Sequence, residues 1–112
     1  MADASLKPSH FYILLALSHE DRHGLSIARE AETLSDGRIR LWPASLYGSL
    51  QELSDRRWIE EVPEHPVEES ERRRYYRLTR AGRQALTAEA EHLARVARLA
   101  RSRARTRTGD AR

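Results

Sequence analysis

Between Pro43 and Gly82 the apolar pattern of this chain changes its period twice, and that change limits what its 112 residues can fold into more than any other feature. Pro43 can open a helix at the first position, where a missing N–H costs nothing. Leu46, Leu50 and Leu53 follow at i, i+4 and i+7, one buried face of a helix about three turns long. Next come two runs rich in β-formers, Trp58 to Val62 and Arg72 to Leu78, with Pro63 and Pro66 marking the connection between them. In the second run Tyr76 and Leu78 alternate with Tyr75 and Arg77, so one face can meet a core while the other stays wet. Thr79 can cap a final helix, although Gly82 stands where a capping box would place Glu or Gln. Helix, hairpin and long helix in this order predict a mainly α chain with a two-stranded β-hairpin, the winged helix-turn-helix arrangement.

The first half supplies the rest of such a fold. Phe11 to Leu17 is a continuous apolar run after Pro8 and Ser9, which suit a helix start. It is too short to span a membrane, where about 20 apolar residues are needed. Lys7 before it and Ala16-Leu17-Ser18 at its end have the outline of a secretory signal, but cleavage there would remove a helix that a small core needs. A buried first helix is the better reading. His23-Gly24 breaks the pattern, and residues 25–34 resume helical spacing through Leu25, Ala28, Ala31 or Glu32, and Leu34. Ser35-Asp36-Gly37 then stops this second helix.

Burying Leu46, Leu50 and Leu53 leaves Ser45, Tyr47, Gly48, Ser49 and Glu52 on the opposite face. Such a face can approach a DNA groove closely, with hydroxyls for base edges or phosphates. It holds neither of the strong pairings, arginine with guanine or asparagine with adenine, so shape and water would carry much of any specificity. Tyr47 alone reads equally well as a residue packing at the helix edge. Arg72, Arg73, Arg74 and Arg77, with Arg80 at the strand's exit, are suited to phosphate contact or minor-groove insertion. Glu64, Glu68, Glu69 and Glu71 oppose them at the wing tip, which should therefore avoid the phosphates and can pair with the arginines in the free protein.

Apolar residues make up 39% of the chain and charged residues 33%, against about 45–50% and 25% in typical domains. Little apolar surface is available, and a partner subunit would add some. Residues 95–112 hold seven arginines against the single acid Asp110, so the rest of the chain is net acidic although the total charge is +3. The high isoelectric point therefore belongs to the tail and is no footprint of DNA binding by itself.

Leu86, Ala90, Leu93, Ala97 and Ala100 repeat at spacings of four and three, with Val96 and Leu99 widening the stripe. A helix over about 80–103 would be roughly 36 Å long. So small a domain cannot cover its far half, and pairing with the same helix of a second copy would. The organisation expected is a winged helix-turn-helix over 1–80, a dimerisation helix over 81–103 and a basic flexible tail over 104–112. A twofold dimer of this kind would read a pseudo-palindrome in double-stranded DNA.

Other chemistry finds little support. The chain has no cysteine, which removes disulfides, zinc ribbons and thiol nucleophiles and fits a cytoplasmic protein. His19 and His23 are four apart but flank a charged, glycine-broken stretch, and His10, His65 and His92 are scattered. No nucleophile motif, phosphate loop or paired carboxylate is present, so neither a catalytic residue, a metal nor a cofactor is expected. The competing class is a winged helix that contacts proteins without specific DNA binding.

The stretch from Pro43 to Leu50, with Arg72 to Thr79 and Gly82, resembles the PadR-like family of transcriptional regulators. His23-Gly24-Leu25 is similar to that family's turn into its second helix, commonly His-Gly-Tyr, with Leu25 in place of tyrosine. Leu46-Tyr47 matches its Leu-Tyr pair, and Ala44 stands where glycine is usual. The resemblance covers about residues 10–100 and fits the shorter members, which have one C-terminal dimerisation helix. It implies a homodimeric regulator, most often a repressor, released from its operator by a small molecule or other signal. An effector site between the subunits would be lined by Phe11, Leu14, Leu15 and Leu93, although the better reading of these residues is an ordinary dimer core.

Overall fold

A computed structural model describes residues 6–63 and 74–110, with side chains through residue 105. The element order is α1 (Pro8–Ala16), β1 (Arg22–His23), α2 (Gly24–Leu34), α3 (Pro43–Asp55), β2 (Ile59–Val62), β3 (Tyr75–Leu78) and α4 (Arg80–Asp110). The expected first helix, second helix and helix opened by Pro43 are all present, and α4 is the long final helix. It runs past residue 103, so residues 104–110 continue the helix where the sequence suggested that it ends. With α4 projecting, the longest dimension of the molecule is 64 Å.

The expected two-stranded hairpin is present as β2 and β3, and β1 joins the other edge of β3 to make a three-stranded antiparallel sheet ordered β1-β3-β2. Arg22 pairs with Tyr76 and His23 with Tyr75, and the His23 and Tyr75 rings meet edge to face at 5.3 Å. A strand of two residues is too short to leave a period in the sequence, and the His23-Gly24 break was its only trace. The break also caps α2, because the Ser26 backbone N–H donates to His23 Nδ1.

One core joins these elements. Ile13, Leu14 and Leu17 from the first helix and its end, Ile27 from α2, Leu46, Leu50 and Leu53 from α3, Ile59 from β2, Tyr76 from β3 and Leu86 from α4 are all buried together. The α3 stripe and the inward face of β3 are those read from spacing. Thr79 joins the wing to the last helix: its hydroxyl accepts from the Gly82 N–H, capping α4, and donates to the Arg57 carbonyl at 2.7 Å. Gly82 is buried against the Trp58 carbonyl group. No side chain fits there, which is why the capping-box acid is missing.

Among the described residues, two non-glycine residues have positive φ, Asp36 at 56° and Arg57 at 65°. Asp36 lies in the expected Ser35-Asp36-Gly37 stop. Arg57 ends α3 with its N–H donating to the Ser54 carbonyl and the Trp58 N–H reaching back to that of Leu53. This is a glycine-type helix end, and an L-residue in it gives up about 1 kcal/mol or more.

His10 ties the first helix to α3. It is buried, and its Nε2 lies 3.0 Å from Glu52 Oε1, with Lys7 Nζ 3.9 Å from the same oxygen. Burial holds the imidazole below its ordinary pKa; Glu52 opposes this, while Lys7 and Arg56 add to it. The unfolded chain therefore takes up a proton as the pH falls through about 6.5 and the folded chain takes it up only at lower pH. Stability should be full above that pH and decline below it, by at most about 1.4 kcal/mol per pH unit. Thermal melts across this range check the slope, and His10→Gln should flatten it; the same slope in both proteins would assign it to other groups.

Candidate nucleic-acid interface

The exposed side of α3 carries the expected residues. Ser45 and Gly48 are exposed and Ser49 is half-buried. The Ser45 hydroxyl donates to the Trp42 carbonyl at 3.0 Å and keeps its lone pairs for an outside donor. A Cβ on Gly48 would meet nothing within 4 Å, so glycine there keeps the helix surface low rather than relieving a contact within the protomer. Tyr47 is 56% exposed. Its ring is braced over Gly24, where an added Cβ would sit 3.1 Å from the phenol oxygen. Both readings of Tyr47 therefore meet in one geometry, a half-exposed ring whose hydroxyl end packs against Gly24. Glu52, expected on the same free face, is committed to His10 and Lys7.

The antiparallel register places Glu60 opposite Arg77 and Glu61 opposite Tyr76. Arg77 Nε donates to Glu60 Oε2 at 2.7 Å, and Arg74 Nε lies 3.8 Å from Glu61 Oε2. The hydrogen bond to Glu60 holds Arg77 still more firmly in its charged form. Burial, with Glu61 adding and Arg74 opposing, raises the phenol pKa of Tyr76. The acidic partners seen are thus on β2. Arg72, Arg73 and the tip residues Glu64, Glu68, Glu69 and Glu71 lie outside the described residues. Exposed pairs of this kind are worth about 0–1 kcal/mol, little enough for a phosphate to displace the carboxylate.

Between α3 and the wing lies a trough of about 480 Å³ lined by Tyr47, Gln51, Ser54, Arg57, Arg74 and Thr79, with Glu60 and Glu61 on the strand side. Gln51 and Ser54 extend the Tyr47 side of α3 by one turn and then two, and the sequence reading missed both. A second, apolar hollow of about 370 Å³ separates α2 from the start of α3, bordered by Leu25, Leu41, Trp42 and Tyr47. Trp42 is 69% exposed beside the helix that would enter a groove, and it too was missed. It is the N-cap residue of α3, directly before Pro43.

On α4 the expected dimer stripe divides. Leu86 is taken into the protomer's own core and is not free to meet a second copy. Ala90 and Ala100 are exposed and Ala97 is half-buried. Leu93, Val96 and Leu99 are 43%, 43% and 48% exposed. Leu14 is sealed in the core and cannot line an effector pocket in the folded protomer; Phe11 and Leu15 are half-buried against that core. No cluster of His, Cys, Asp or Glu able to hold a metal occurs among the described residues, and no described helix is long and apolar enough to cross a membrane.

A family model described as "Transcriptional regulator PadR-like family" matches residues 13–88, from the first helix to the early turns of α4. The chain belongs to the PadR-like family. A PadR family transcription regulator from Clostridium difficile shares the fold at 19% identity, with a TM-score of 0.74 over 86% of this chain and 97% of that one. RosR of H. salinarum is 26% identical, with a TM-score of 0.65 over 93% of this chain and 99% of its own. Among curated proteins, an uncharacterized 37.1 kDa protein in transposon TN4556 of Streptomyces fradiae is 38% identical over 84 residues, 75% of this chain. This chain spans only 22% of that protein's length. PadR-like proteins are transcriptional regulators, and the α3 face and the wing described above lie within the matched residues.

Proposed function

We propose that this PadR-like protein is a homodimeric, sequence-specific DNA-binding repressor that acts in the cytoplasm on a pseudo-palindromic operator. The observation that carries the reading is the trough: α3 presents Tyr47, Gln51 and Ser54 on one side and the wing presents Arg74 on the other. A helix in a major groove and a wing at the neighbouring minor groove would grip one DNA backbone between them. The uncovered Leu93, Val96 and Ala100 on α4 support pairing of two copies, which sets two recognition helices at a fixed separation. Repression follows the family's commonest behaviour. A small-molecule signal would enter between the subunits near Phe11, Leu15 and Leu93.

Genomic fragments retained by the protein at about 150 mM salt should share an inverted repeat. Changing Arg74 and Arg77 together to alanine should weaken binding by about tenfold per arginine and make the salt dependence shallower by about two phosphates. Unchanged DNA binding, or retention of all fragments alike and only at low salt, would instead favour a winged helix that contacts proteins.

A further inference from the structure

The end of α3 holds a residue whose backbone and side chain make opposite demands. Arg57 sits at φ 65°, a conformation that glycine adopts freely and an arginine does not. The turn is completed by main-chain bonds from Arg57 to Ser54 and from Trp58 to Leu53, and by the Thr79 hydroxyl on the Arg57 carbonyl. None of these needs a guanidinium. A bulky residue held in such a conformation points to a task for its side chain.

The surroundings say what that task is. Arg57 is exposed, and its side chain makes no hydrogen bond or ion pair with a described residue. It lines the trough between α3 and the wing, near Ser54 and across from Arg74. The trough's carboxylates, Glu60 and Glu61, are met by Arg77 and Arg74. Arg57 is thus the one lining cation without a partner among the described residues. A sugar–phosphate backbone is what separates a major groove from the adjacent minor groove, so a protein that fills both sets its trough on phosphates.

We propose that Arg57 is a DNA phosphate-contacting residue, kept at a helix end that favours glycine because its guanidinium reaches the backbone held between α3 and the wing. The proposal rests on the DNA-binding reading above.

The test compares Arg57→Gly, Arg57→Lys and Arg74→Ala with the parent protein, using a labelled mixed-sequence duplex titrated at about 50 to 200 mM salt together with thermal melts. Arg57→Gly should melt at a higher temperature yet bind about tenfold more weakly, with a salt slope shallower by about one phosphate. Arg57→Lys should keep the parent slope. Parent-like affinity and slope in Arg57→Gly, with Arg74→Ala weakened, would overturn the proposal and leave the DNA-binding reading standing. A lower melting temperature in Arg57→Gly alongside the lost affinity would trace the loss to structure and also overturn it. If the parent protein bound no duplex at either salt, both would fall together.

Discussion

Gly82→Ala should destabilise the protein by about 3 kcal/mol, at the upper end of what overpacking usually costs, and lower its melting temperature by more than about 10 °C. An added Cβ would overlap the Trp58 carbonyl oxygen, stand 2.8 Å from the carbonyl carbon and lie 2.9 Å from Leu78 Cδ1. A crowded side chain can rotate away; a carbonyl engaged by the Thr79 N–H at 3.0 Å cannot. The strain would fall on the joint where the wing, the end of α3 and α4 meet, so relief there must move an element. Gly48→Ala is the control, since its Cβ meets nothing within 4 Å and should stabilise the helix by up to about 1 kcal/mol. Circular-dichroism melts at equal protein concentration separate the two, and a parent-like melt for Gly82→Ala would mean that the joint is looser than its packing indicates.

Changing Leu93, Val96 and Ala100 to aspartate should leave the winged domain folded and the protein monomeric, with operator affinity reduced by about 10²–10⁴ as the second half-site ceases to add to the first. These side chains are uncovered in the protomer, so the substitutions remove no core contact. In a dimer each would bury an unpaired carboxylate. Sedimentation of the variant, with binding to a full site and to a half-site, is the measurement. A variant that stays dimeric would place the interface elsewhere, and a monomer with undiminished full-site affinity would remove the need for a pair.

Much of this architecture was readable in advance because its signals are local or periodic. Leu46, Leu50 and Leu53 mark a buried helical face, Tyr76 and Leu78 mark the inward face of a strand, and Thr79 marks a helix start. What escaped depends on contacts across the chain. Strand β1 exists because β3 offers it an edge. Gly82 is small because a carbonyl from a distant turn lies over it. Leu86 belongs to the core although its spacing matches the exposed stripe beyond it, since spacing shows which residues share a face and not how far along a helix the domain extends. The same holds for the acids: Glu60 and Glu61 become partners of Arg77 and Arg74 only through the strand register, which composition at the wing tip does not reveal.

The capped junction at Thr79 gives α4 a mechanical character. Its first turn is locked to the wing, and the same unbroken helix carries the exposed Leu93, Val96 and Leu99 that the proposed dimer would use. No joint separates the two. A helix of 31 residues is about 46 Å long, so a tilt of about 5° at one end sweeps the other through about 4 Å, more than the length of one base-pair step. In the proposed dimer, the angle at which two such arms cross would set the separation of the two wings, much as the pivot of a pair of callipers sets the gap between its tips.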